Sequence, residues 1–168
     1  MSLVYGDSFE GQDTLTEPYC FHYLFSQSDC ISAENLILPA MNLTNGCYMG
    51  LFYYCSNLTV APELPSVNIP PYCYAFMFYH TAIATAPDLE ATAVTSSNSS
   101  FQPYFFMFSQ CSNLQYVRCL LADPSSLGQS MWLWGVSPTG TFIKHPNATW
   151  PTGVSGIPDG WTVQDAVL

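Results

Sequence analysis

Apolar and polar positions along this chain fall into columns. The stretch CFHYLFSQS at 20–28 aligns with CYMGLFYYC at 47–55, CYAFMFYHT at 73–81 and PYFFMFSQC at 103–111. The first column reads Cys20, Cys47, Cys73, Pro103 and the second Phe21, Tyr48, Tyr74, Tyr104. The fifth reads Leu24, Leu51, Met77, Met107 and the sixth Phe25, Phe52, Phe78, Phe108. The ninth holds Ser28, Cys55, Thr81 and Cys111. A second block comes after each copy. CSNLTVAPELP at 55–65 matches TAIATAPDL at 81–89 and CSNLQYVRCLL at 111–121, with a looser CISAENLILP at 30–39. Turn-like connectors close the units. Repetition at this period means stacked supersecondary units, because one unit cannot bury its own apolar face.

Positions 1, 2, 5, 6 and 9 read as one face of a short helix of about two turns. The second block, with Leu58, Ala61 and Leu64 as anchors and a closing Pro, reads as a short strand. The predicted fold is an α/β repeat solenoid, right-handed, of about four coils, each a short helix plus a short strand. Residues 1–122 form the array, with a degenerate first coil, and 123–168 form a capping segment. In that segment Asp123 and Ser126 are candidate N-caps of a further short helix. GTFIKHP reads as a strand, and TGVSGIPDGWTVQ as turns plus a final strand. All four tryptophans, Trp132, Trp134, Trp150 and Trp161, lie here, as suits the sealing of an open end.

Composition narrows the function. Charged residues are 8% of the chain against a usual ~25%. Acids outnumber bases 12 to 2, for a formal charge of −10, which repels nucleic acid and anionic membrane surfaces alike. No run is apolar and long enough to span a bilayer, and the N-terminus lacks the pattern of a secretory signal. Either the protein is not exported by that route, or the chain is a mature form or a fragment; the Ser-, Thr-, Asn- and Tyr-rich composition resembles surface material. Asn42, Asn57, Asn98 and Asn147 begin Asn-x-Ser/Thr triplets, which arise by chance in such a chain.

Catalytic and metal signatures are missing. The seven cysteines include no Cys-x2-Cys pair, and their columns face inward, where buried free thiols are the ordinary outcome and disulfides the alternative. His22, His80 and His145 share no column. No G-x-S-x-G elbow and no calcium loop occur. The reading is a non-enzyme without metal or cofactor.

Two surfaces remain for binding. Columns 4, 7 and 8 of the first block point off the core and carry Tyr23, Tyr53, Tyr54, Phe76, Tyr79, His80 and Phe106. If open, they make an aromatic stripe suited to proteins or sugars; the plainer outcome is burial under neighbouring coils. The outward strand positions include Thr59, Val60, Glu63, Thr85, Asp88, Gln115, Tyr116 and Arg118. An internal ion pair is as natural a role for Arg118 as a ligand contact. The candidate set is Tyr53, Tyr54, Phe76, Tyr79, His80, Thr59, Glu63, Asp88, Tyr116 and Arg118.

The segment 47–65, Cys-Tyr-x-x-Leu-Phe-x-x-Cys-Ser-Asn-Leu-Thr-x-Ala-Pro-x-Leu-Pro, resembles the BspA-type leucine-rich repeats of surface proteins in gut and oral Bacteroidetes. The ending GTFIKHPNATWPTGVSGIPDGWTVQ is similar to the C-terminal segment of many such arrays. The resemblance covers about residues 15–165, and it departs at Thr81, at Pro103 and in the extended connector at 91–102. It implies a leucine-rich-repeat-like horseshoe whose strand face binds partners. The implied role is non-catalytic recognition or adhesion at an extracellular or cell-surface location. Partners would be a host or bacterial surface protein or a glycan, with no nucleic acid and no membrane insertion. Phages of these bacteria carry related arrays, so a virion component, as fibre tip or capsid decoration, is the alternative. Homo-oligomer or virion assembly goes with it.

Overall fold

The structure, a computed structural model, describes residues 13–38, 41–95 and 102–168. The Asn98 triplet and part of the 91–102 connector lie outside them. The expected helix-plus-strand solenoid is not what the chain forms. Among the described residues there is no α-helix, only a four-residue 3-10 helix at Pro124–Leu127.

The aligned blocks are runs of consecutive tight turns. An α-helix keeps every φ negative and returns each N–H to the carbonyl four residues back. Here every fourth residue is left-handed: Tyr19, Tyr23 and Gln27; Gly46, Gly50 and Tyr54; Tyr72, Phe76 and His80; Phe106 and Gln110. Their φ values lie between 52° and 64°. The N–H groups then divide into two sets. His22, Leu24, Ser26 and Ser28 donate to the carbonyl three residues back. Phe21, Tyr23, Phe25 and Gln27 instead donate sideways to Cys47, Met49, Leu51 and Tyr53 at 2.7–3.0 Å. Tyr48, Gly50, Phe52 and Tyr54 do the same to Cys73, Ala75, Met77 and Tyr79. Half of each run's backbone is thus satisfied only by the next coil. Columns 1, 5, 9 and 2, 6 repeat every 4.0 residues because the backbone does, not on the 3.6-residue period of a helix.

Parallel pairing is brief and is shared among the connectors, the second blocks and the C-terminal segment. β1 (Asn68–Ile69) pairs with β2 (Ala93–Val94), and β3 (Tyr116–Cys119), β4 (Thr141–Lys144) and β5 (Thr162–Asp165) form a three-stranded parallel sheet. Isolated parallel bridges join Thr14 to Asn42, Asn42 to Asn68, Ser32 to Val60, Thr85 to Tyr116 and Leu89 to Cys119.

The winding continues into 128–136. Phe106, Phe108 and Gln110 donate to Ser130, Trp132 and Trp134, and Met131 and Gly135 are left-handed. This places Trp132 and Leu133 in the fifth and sixth columns of a further turn run. The helix expected after Asp123 is therefore limited to Pro124–Leu127, where the Asp123 carboxylate accepts from the Ser125 N–H at 2.9 Å. A spacing of 25 residues from Pro103 to Gly128 was the sequence signal for this copy.

The core is two ladders of rings. Phe25, Phe52, Phe78 and Phe108 stack at 5.5–5.7 Å, within 16° of parallel. Phe21, Tyr48, Tyr74 and Tyr104 stack at 5.8–6.3 Å, and Trp132 continues the row at 5.8 Å. Each such pair adds about 0.5–1.5 kcal/mol beyond the burial of its area.

Candidate functional site

The left-handed residues set what faces out. Every fourth position turns the chain, so its side chain leaves the core. Glycine takes this conformation freely, whereas other residues sit there at a cost of order 1 kcal/mol. In the first coil Tyr19 and Tyr23 occupy it, and their rings lie over Gly46 and Gly50 of the next coil. A Cβ on Gly50 would meet the Tyr23 ring at 2.5 Å.

From the second coil onward the same columns carry rings that touch one another. Tyr53 stacks on Tyr79 at 5.2 Å and meets Tyr54 edge-on at 4.8 Å and Tyr23 at 5.4 Å. Tyr54 lies 4.7 Å from His80 and 5.4 Å from Tyr79. Phe76 contacts Tyr53 and Tyr79, and stacks on Phe106 at 5.5 Å. Five of the candidate residues, Tyr53, Tyr54, Phe76, Tyr79 and His80, thus form one surface that Tyr23 and Phe106 extend. Tyr23, Tyr54 and His80 are exposed; Tyr53, Phe76, Tyr79 and Phe106 are half-buried. Phe105, edge-on to Phe76 at 5.4 Å, belongs to the same face and was not in the candidate set. Its column holds His22, Met49 and Ala75 in other coils, so no repeat signal marked it.

Burial, then the neighbouring Tyr54, raises the Tyr79 phenol above its ordinary pKa, and burial with Tyr53 does the same for Tyr23. Both phenols therefore stay neutral near pH 7.

The strand-side candidates do something else. Arg118 pairs with Asp88 at 3.3 Å and with Glu90, bridging β3 to the preceding coil. Lys144 pairs with Asp165 at 2.6 Å across β4 and β5. Both basic residues of the chain are therefore engaged internally. The Thr59 hydroxyl donates to the Ile31 carbonyl at 3.1 Å, Glu63 is exposed, and Tyr116 is half-buried in β3. These residues are not gathered into one site.

The cysteines are free thiols with a structural role in the ninth column. Cys55 Sγ donates to the Phe25 carbonyl and Cys111 Sγ to the Phe78 carbonyl, each at 2.9 Å. The Thr81 hydroxyl donates to the Phe78 carbonyl at 3.0 Å and touches Cys111 Sγ at 3.3 Å. Thr81 keeps a small buried donor in this column but bonds within its own coil, whereas Cys55 and Cys111 bond back to the preceding one. Burial pushes the Cys111 thiol up to about 11 and Cys47 and Cys119 up to about 12, the charged form being penalised in the core. No group of three or more potential metal ligands occurs among the described residues. A pocket of about 260 Å³ opens at the first coil, lined by Phe25, Cys30, Ala33, Leu36 and Phe52 among others.

Comparison with family models, curated proteins and solved structures finds no match to this chain.

Proposed function

We propose that the chain is a non-catalytic recognition module of an extracellular or cell surface, and that it binds a protein or glycan partner through its aromatic face. One observation carries this reading: seven aromatic or imidazole side chains from consecutive coils, Tyr23 to Phe106, touch in a continuous outward row whose exposed members are Tyr23, Tyr54 and His80. Rigid amphipathic rings of this type give large contact area at low entropic cost and are enriched at binding interfaces. Tyrosine faces also accept the C–H face of a sugar while the hydroxyl bonds its edge. The resemblance to BspA-type repeats supports a recognition role, although the surface it implied was the strand face and not the aromatic one. With both cations paired internally and the rest of the charge acidic, the face suits neutral or basic partners over anionic ones.

The test is a glycan and surface-protein array probed with the wild type and with the double variant Tyr54→Ala, His80→Ala. A ligand bound by the wild type is expected to lose at least about tenfold in affinity in the variant, about 1.4 kcal/mol, with the melting temperature little changed. A ligand bound equally by both proteins moves the site elsewhere. No binding, even by an oligomerised form, removes the proposal.

A further inference from the structure

Glycine takes the left-handed turn position freely, and the stack uses it in places: Gly46, Gly50 and Gly135 sit there. The eighth column does not use it in the first four turn runs. Gln27, Tyr54, His80 and Gln110 all hold the conformation, at φ 57–64°. A glutamine or tyrosine gains nothing from its own backbone there, because its Cβ crowds the following carbonyl. Residues kept against such strain are where function is to be sought. Each of the four ends in a flat or ring-borne group that can donate or accept a hydrogen bond. Tyr54 is 42% exposed and lies 4.7 Å from the exposed His80 ring. Gln110 is half-buried. The His80 ring and the Gln110 amide make no side-chain hydrogen bond among the described residues. One coil further, in the seventh column, Trp134 is 44% exposed, while the other three tryptophans are 0–9% exposed.

We infer that Tyr54, His80, Gln110 and Trp134 form a row that holds a neutral, unbranched glycan lying along the stack. The inference rests on the aromatic face being the recognition surface, and it names the ligand of that face. Charge disfavours acidic sugars. Columns 4, 7 and 8 hold no Asp, Glu, Lys or Arg in any of the five turn runs, and the chain around them carries a formal charge of −10. An anionic ligand would find no cation to receive it, since Arg118 and Lys144 are both in ion pairs. Spacing separates a sugar chain from a peptide. From Tyr54 to Gln110 the row offers one flat polar group per coil, and rings of neighbouring coils stand 4.7–5.7 Å apart. An extended peptide returns a side chain to the same side every ~6.7 Å and falls out of step with the coils. A polyproline II segment repeats every ~9 Å and would engage alternate coils only. A hexose unit of an extended, equatorially linked chain advances by about one coil. At every step it also brings a C–H face for a ring and hydroxyls for a phenol, an imidazole or an amide.

The probes are neutral β-linked oligomers of glucose, mannose and N-acetylglucosamine, from disaccharide to hexasaccharide. Oligogalacturonides form the acidic arm and a proline-rich peptide the polypeptide arm. Each is titrated into the isotope-labelled chain up to about 1 mM, the range of a weak complex. At least one neutral series is expected to shift the Gln110 side-chain amide and the Trp134 indole N–H, with affinity rising until the oligomer reaches from Tyr54 to Trp134. Trp134→Ala, which removes an exposed ring, should weaken binding of the longer oligomers only. Gln110→Gly should weaken binding several-fold while the melting temperature holds or rises, because glycine relieves the left-handed strain. A lower melting temperature would put Gln110 in the service of the fold and overturn the inference. Acidic oligomers that bind as well as neutral ones would overturn it too, as would affinity that ignores length. If no oligosaccharide binds, but the peptide or a surface protein does and loses its affinity in Tyr54→Ala, His80→Ala, the glycan is wrong and the recognition face stands. Sugar binding that this double variant leaves unchanged, or no binding of any kind, removes both.

Discussion

The first coil and the third are built from the same columns, yet they live in different environments. Phe25 and Phe78 are ring-stacked members of one ladder, and Leu24 and Met77 share the column beside it. In the third coil both faces of each residue are covered by neighbours. In the first, Leu24 is exposed and Phe25 half-buried. A repeat column therefore specifies which residues can be core, and the position in the stack decides which are.

The largest expected difference appears at alkaline pH. The buried thiols, raised by desolvation, keep their protons in the folded state while the unfolded chain releases them above about pH 9. The unfolded state then binds fewer protons, so stability is fully present below that pH and falls as pH rises toward 11–12. Each such group contributes a slope of up to about 1.4 kcal/mol per pH unit. Melting curves should be flat to about pH 8 and fall steeply beyond. A triple variant, Cys73→Ala, Cys111→Ala, Cys119→Ala, should lose much of the slope despite a lower starting stability. Alkylation at mild pH with mass readout should mark Cys20 and Cys30, which are half-buried, and spare Cys73, Cys111 and Cys119.

Truncation of the ladder comes next. Phe78→Ala should cost about 3–5 kcal/mol by chemical denaturation, whereas Phe25→Ala should cost clearly less because Phe25 is only half-buried. Equal costs would mean that the first coil is as well packed as the third. Gly50→Ala tests the link between the two regions. It puts a Cβ at φ +62° and 2.5 Å from the Tyr23 ring, so a loss of about 1–2 kcal/mol is expected. In the background Tyr23→Ala the loss should shrink to the backbone part alone. The smallest effect should come from Arg118→Ala. Its partners Asp88 and Glu90 are well exposed, so the loss should be about 1 kcal/mol or less and should diminish with salt.

Part of the aromatic face proposed as the site was legible before the structure. Tyr53, Tyr54, Phe76, Tyr79 and His80 come from asking which columns are off the core, and those rings do meet. Asp88 and Arg118 were also rightly placed on the strand side, but they meet each other, a pairing between residues 30 apart that no local pattern announces. Phe105 escaped because its column is otherwise occupied by unrelated side chains. The run at 128–136 escaped because Trp and Leu stand where Met and Phe stood, and the tryptophans suggested a seal in place of another turn of the stack.

The sequence by itself determined the columns: which side chains recur, at what spacing, and hence which are stacked on which. It could not determine the backbone. Positions 1, 2, 5, 6 and 9 fit a helical face and a four-residue turn run equally well over nine residues, because a period of 3.6 and one of 4.0 diverge little in that span. The choice was made by hydrogen bonds to residues 24–29 positions away. Alternate N–H groups find their acceptors on the next coil, and only stacked coils make that conformation better than a helix.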